Sequence, residues 1–120
     1  MAKIRVRVIQ LAKGFHVPFQ IVAKELNEVI TIGRENGNDI LIPEGFVSSQ
    51  HGRIFLEKGV FGTHLDYEDN SKNGSAVIHW SGNNPESELV HKKGVKIKPN
   101  DWILISKDSL NAILLIPFIY

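Results

Sequence analysis

Apolar and polar residues alternate along most of this 120-residue chain. In "KIRVRV", Ile4, Val6 and Val8 alternate with Arg5 and Arg7, the period-two signature of a strand with one buried face. Similar alternation, or a short apolar run, predicts further strands over 20–24, 29–32, 39–42, 51–57, 63–67, 76–80, 95–97, 101–106 and 112–119. Between them lie turn-forming clusters: "AKGFHVP", "RENGN", "PEGF", "EKGVFG", "EDNSKNG", "SGNNPES" and "KPND". No window sustains a helical spacing beyond about two turns. Many short strands separated by such turns predict an all-β sandwich or a barrel. "GTHLDYED" (62–69) reads as a strand leading into a solvated loop, and residues 79–94 as a long polar loop with a basic end. With no internal repeat and no linker, a single domain over 1–120 is expected, either complete or part of a longer chain.

Charge narrows the function. Lys plus Arg number 14 and Asp plus Glu 13, a balance that argues against a strongly basic nucleic-acid binder but leaves room for a small basic site. Cysteine is absent, which excludes a disulfide scaffold, a thiolate metal site and a cysteine nucleophile. The N-terminal "MAKIRVRVIQ" has no continuous apolar run, and the apolar "AILLIPFIY" is too short to span a bilayer. No membrane partner is expected, and a cytoplasmic location is.

Three loops carry candidate chemistry. In "TIGRENGNDI", Arg34 follows Gly33 at the end of an apolar run. Its guanidinium either sits on the surface at a strand end or grips a phosphate or carboxylate with its planar fork. In "FVSSQHGRI", Ser48 and His51 raise the question of nucleophilic catalysis. Residues three apart on a strand point to opposite faces, so only a turn can join them. The G-x-S-x-G elbow is missing, and no Asp is singled out to orient the histidine. Capping of a turn by the two serine hydroxyls, or anion binding by hydroxyls and backbone N–H groups, accounts for the same residues. In "EDNSKNGSAVI", Asn73-Gly74 is a turn signal and Lys72 adds a charge at its tip. The glycosylation pattern Asn73-Gly74-Ser75 is not expected to be used without a signal peptide. The five histidines show no ligand-like spacing, so neither a metal nor a cofactor is expected.

Taken in order, these loops resemble the forkhead-associated (FHA) domain family. The matching blocks are Gly33-Arg34, Asn38-Asp39, Ser48-Ser49-Gln50-His51 and Asn73-Gly74-Ser75, with the late "GVKIKPNDWILI" resembling the approach to the family's final hairpin. The match runs from about residue 4 to 116. The resemblance implies an eleven-stranded β-sandwich of two twisted sheets with ligand loops at one end. It also implies a non-enzymatic module that binds a threonine-phosphorylated protein or peptide. Carried over, Arg34 and Ser48 would contact the phosphate, Ser49 would help through its backbone or side chain, and Asn73 would bond the peptide main chain. Gly33, His51 and Gly74 would be architectural. Lys72 stands where the family commonly has threonine or serine, and is expected to reach the phosphate. Gly52 replaces a usual alanine, and Ser75 a common threonine.

The competing expectation is a phosphate-independent adaptor or assembly domain on the same fold, pairing through the apolar strand Ile113–Tyr120 if that strand lies at a sheet edge. Otherwise a monomer is expected. Ester hydrolysis by Ser48 and His51 is not.

Overall fold

The alternation at the N-terminus becomes β1 (Lys3–Gln10), and ten further strands follow among the described residues. The computed structural model describes residues 3–11, 19–60, 62–80, 84–106 and 112–119. The break expected at 12–18, the first part (81–83) of the one expected at 81–87, residues 107–111 and Tyr120 lie outside them. The later strands are β2 (Gln20–Glu25), β3 (Ile30–Gly33), β4 (Ile40–Leu41), β5 (Gly52–Gly59) and β6 (Gly62–Asp69), then β7 (Ser75–His79), β8 (Glu86–Val90), β9 (Gly94–Ile97), β10 (Trp102–Ser106) and β11 (Ala112–Ile119).

They form two sheets, ordered β2-β1-β11-β10-β7-β8 and β4-β3-β5-β6-β9. Only the β3–β4 pair is parallel; the other described pairs are antiparallel. The core lies between the sheets. Ile4, Val6, Val8, Val77, Ile103 and Leu115 from one sheet meet Ile30, Ile32, Ile54, Leu65 and Tyr67 from the other. Each such aliphatic side chain contributes roughly 1.5–3 kcal/mol on burial. At one edge the sheets are tied by an ion pair, Lys24 Nζ to Asp39 Oδ1 at 3.0 Å.

Two expectations are corrected. Residues 79–94 are not one long loop: His79 ends β7, and Glu86–Val90 is a strand paired with it, from Ser75↔Val90 to His79↔Glu86. Being an edge strand, β8 buries little, and Leu89 is 69% exposed, so its sequence lacks the alternation of a strand with a buried face. The apolar β11 is not at an edge either, because β1 and β10 flank it on its two sides. Two neighbours and a core explain why Ala112–Leu115 is a continuous buried run. Pro117 stands beyond Leu115, the last residue paired with β10, where β11 has one neighbour and tolerates a missing N–H.

Candidate functional site

Four loops meet at one end of the sandwich: β3–β4, β4–β5, β6–β7 and β8–β9. The first two are bound backbone to backbone. Arg34 N–H donates to Ser48 O at 3.0 Å, Glu35 N–H to Ser49 O at 3.4 Å, and His51 N–H to Ile32 O at 2.8 Å. Gly33 permits this closeness: a Cβ there would lie 2.1 Å from Ser49 O and 2.7 Å from Asn38 Nδ2. Asn38 Nδ2 donates to Ser49 O at 3.0 Å and to Glu35 O at 2.8 Å, which braces the loop that carries Arg34. The far side of that loop is anchored by Asp39. Its carboxylate accepts from the Thr31 N–H and hydroxyl, and its own N–H donates to the Thr31 hydroxyl. Burial alone would raise the Asp39 pKa, but the Thr31 N–H, Lys24 and the Thr31 hydroxyl outweigh it and hold the group below its ordinary value.

His51 is buried and works as a brace. Its Nδ1 accepts the Ser48 N–H at 3.2 Å, so Nε2 carries the proton and donates to Ser75 Oγ at 3.1 Å. Ser75 then donates to Asp69 Oδ2 at 2.7 Å and accepts from the Tyr67 hydroxyl at 2.7 Å. Every proton in this cluster has one acceptor. Burial holds His51 below the ordinary histidine pKa, against the pull of Asp69 3.8 Å away. Burial likewise pushes the Tyr67 hydroxyl up, keeping it a donor. The missing side chain at Gly52 makes room for that ring: a Cβ there would meet Tyr67 Oη at 2.7 Å.

Asp69 organises the β6–β7 turn. Its carboxylate accepts from the Ser71 N–H and hydroxyl, the Ser75 hydroxyl and the Lys92 N–H. Burial raises its pKa, but these bonds, the Lys92 N–H foremost, hold it below the ordinary value. Ser71 Oγ in turn accepts the Gly74 N–H at 2.7 Å. Gly74 has φ +86°, where a Cβ would also press on Val90 O at 3.2 Å. The "solvated loop" expected after β6 is thus anchored by two buried residues, Asp69 and Ser71.

The sequence-derived residues come together as follows. Arg34, Ser49, Lys72 and Asn73 are exposed at this end, Ser48 is half-buried, and Gly33 and His51 are buried beneath them. The Arg34 guanidinium, Lys72 ammonium and Asn73 amide make no hydrogen bond or ion pair with the described residues. Tyr67, Asp69 and Ser71 went unnoticed in the sequence; a serine-rich turn after an acidic residue was the available signal. A groove of about 300 Å³ lined by Thr31, Gln50, Gly52, Arg53, Glu68 and Asn70 runs from these loops along the outer face of β3, β5 and β6. It includes none of Arg34, Ser48 or Asn73. At the opposite end of the β5–β6 hairpin, Glu57, His64 and Asp66 place ligand-type atoms within 4.8 Å of one another. Burial and the Glu57 carboxylate raise Asp66 to about 6.

Comparison with known proteins bears on the whole arrangement. A family model described as FHA domain matches residues 30–111. The structure is similar to the FHA domain of the CT664 protein from Chlamydia trachomatis, with TM-score 0.63, 18% identity and 98% of each chain covered. It is similar to full-length yeast Pml1p, with TM-score 0.72, 18% identity, and 99% of this chain and 83% of that one covered. A third similar structure comes from work on phosphothreonine-dependent FHA domain interactions, with TM-score 0.60, 18% identity, and 97% and 95% covered. At these identities the structural likeness establishes the fold. No curated protein matches the chain in sequence.

Proposed function

Because the chain belongs to the FHA domain family, whose members are known as phosphopeptide-binding modules, we propose that it binds threonine-phosphorylated segments of a partner protein and catalyses no reaction. The reading rests chiefly on Arg34, whose backbone is tied to Ser48 O while its guanidinium has no partner among the described residues. A phosphothreonine carries about −1.5 to −2 charges and three acceptor oxygens at neutral pH. Arg34 takes two oxygens with its fork, and the Ser48 hydroxyl and Lys72 ammonium take the rest. Ser49 assists from the adjacent position. Asn73 offers both a donor and an acceptor to the main chain of an extended peptide. The loops are held together before the ligand arrives, so little ordering entropy is lost on binding.

Titration calorimetry with a phosphothreonine peptide library, its dephosphorylated counterpart and Arg34→Ala tests this. Phosphorylated peptides are expected to bind, the dephosphorylated set not to, and Arg34→Ala to cost about 2–5 kcal/mol. Binding that survives dephosphorylation or Arg34→Ala sinks the reading.

A phosphate-independent assembly role no longer draws support from β11, which is covered on both sides. It retains one favourable observation, the apolar Leu89 standing 69% exposed on edge strand β8. Light scattering decides: a mass that rises with concentration and returns to the monomer value on Leu89→Lys would favour it.

A further inference from the structure

The fourth loop of the site, "HKK" between β8 and β9, has no part in the phosphate contacts proposed above. It is nonetheless built onto the β6–β7 turn. Lys92 N–H donates to Asp69 Oδ1 at 3.0 Å, and Asp69 N–H donates to Lys93 O at 2.9 Å. His91 Nε2 lies 3.1 Å from Ser71 O, which only accepts, so that nitrogen is the donor. Lys92 has φ 55°, a left-handed conformation uncommon for a long side chain, held here by its bond to Asp69. The two loops are therefore tied to each other, with Asp69 as the shared anchor.

The charges at this joint are one-sided. Lys92 and Lys93 are exposed, and neither makes an ion pair with the described residues; the same holds for Lys72 on the adjoining turn. Three acids close to this joint in the chain are engaged elsewhere. Asp69 turns inward to Ser71 and Ser75, Glu68 pairs with Arg53, and Glu88 pairs with His79. Cations without an ion pair among the described residues thus stand on three of the four loops: Arg34, with the exposed Glu35 beside it, then Lys72, and Lys92 with Lys93.

We infer that Lys92 and Lys93 form a second anion subsite, which takes a second phosphate or a carboxylate borne by the same peptide as the phosphothreonine. The inference rests on the phosphopeptide reading above. An extended peptide advances about 3.3 Å per residue, so a few residues carry it from one loop to the next. Lysine ammoniums are point charges without a fixed fork, so they accept a carboxylate or a phosphate alike. Both partners are solvent-exposed, so the gain weakens as salt rises.

The test compares three peptide sets by fluorescence anisotropy. The first carries phosphothreonine in a neutral background. The second scans one glutamate through each flanking position, and the third scans one phosphoserine. Each is titrated with the native protein and with the double variant Lys92→Asn/Lys93→Ala, in which asparagine suits the left-handed position. At one or more flanking positions the acidic peptides are expected to bind about two- to fivefold tighter than the neutral one, phosphoserine more than glutamate. The double variant is expected to erase that gain and leave neutral-peptide affinity unchanged. Equal affinity for neutral and acidic peptides at every position overturns the subsite, as does a gain that survives in the double variant. Failure of every phosphorylated peptide to bind is a different result: it overturns the phosphopeptide reading and this inference with it.

Discussion

The backbone N–H of Lys72 donates to the Ser48 hydroxyl oxygen at 2.9 Å, and this bond decides how the serine can act. One lone pair is occupied from below, and the hydroxyl proton has no acceptor among the described residues. The nitrogen of His51 nearest to hand, Nδ1, is taken by the Ser48 N–H and not by its hydroxyl. The Ser48 hydroxyl can therefore still donate, and among the described residues no base accepts its proton. Ser48→Ala is expected to weaken phosphopeptide binding by about 1–2 kcal/mol, read by calorimetry, with folding intact. Turnover of an activated ester that Ser48→Ala abolishes would contradict this arrangement.

Gly33 is a packing residue, not a hinge: it shows no positive φ, but a Cβ at 2.1 Å from Ser49 O has nowhere to go. Gly33→Ala is expected to push the β4–β5 loop off β3 and to destabilise the domain by about 1–3 kcal/mol in urea denaturation. Phosphopeptide affinity should fall as well, since Arg34 and Ser48 lose their common register. An unchanged midpoint would mean that the loops separate freely.

Ser75 is the crossing point of the buried network. Ser75→Ala leaves the His51 Nε2–H and the Tyr67 hydroxyl without their acceptor and takes one donor from Asp69. The expected loss is on the order of 3 kcal/mol, whereas Tyr67→Phe removes a single donor and should cost nearer to about 1 kcal/mol. Chemical denaturation of the two variants side by side checks the ranking, and the reverse order would refute the assigned bond directions.

His51 and His79 carry pKa shifts of opposite sign. His79 lies between two carboxylates, with Nδ1 3.0 Å from Asp101 Oδ2 and Nε2 2.8 Å from Glu88 Oε1. Two carboxylate acceptors at the two ring nitrogens favour the protonated imidazolium over the neutral ring. Burial lowers its pKa, but hydrogen bonds to Glu88 and Asp101 raise it further than that, and the net shift is upward. A folded-state pKa above the unfolded one gives stabilisation that is complete below about pH 6.5 and lost as pH rises through the raised value. The stability gap between the native protein and His79→Gln should therefore be widest in mild acid and shrink in mild alkali. For His51 the shift is downward, so its contribution is present above about pH 6.5 and falls away as pH drops toward the depressed value. Denaturation curves of His79→Gln and His51→Gln across this range separate the two effects; a gap for His79→Gln that does not change with pH would mean a neutral ring.

Much of the fold was legible because half-buried strands write themselves as alternation. Ile4, Val6 and Val8 are all buried, and the residues between them face outward or to the rim. β8 was not legible: with Leu89 exposed and only Val90 buried, its pairing is made by backbone groups that leave no side-chain pattern. The position of β11 was equally hidden, since a continuous apolar run looks the same at an edge as at the centre of a sheet.

The same division runs through the site. Arg34, Ser48, Lys72 and Asn73 stand in short loops whose turn residues mark them locally, and the order of those loops along the chain identified the family. The resemblance also implied architectural roles for Gly33 and Gly74, and in the fold a Cβ at Gly33 would collide with Ser49 O while Gly74 takes a positive φ. What only the tertiary structure decided is the support beneath these residues. Ser75 reaches His51 across 24 positions, and Lys92 reaches Asp69 across 23. Hydrogen bonds at that separation depend on which strands become neighbours, and strand neighbours are set by the packing of two sheets on a shared core rather than by any local run of residues.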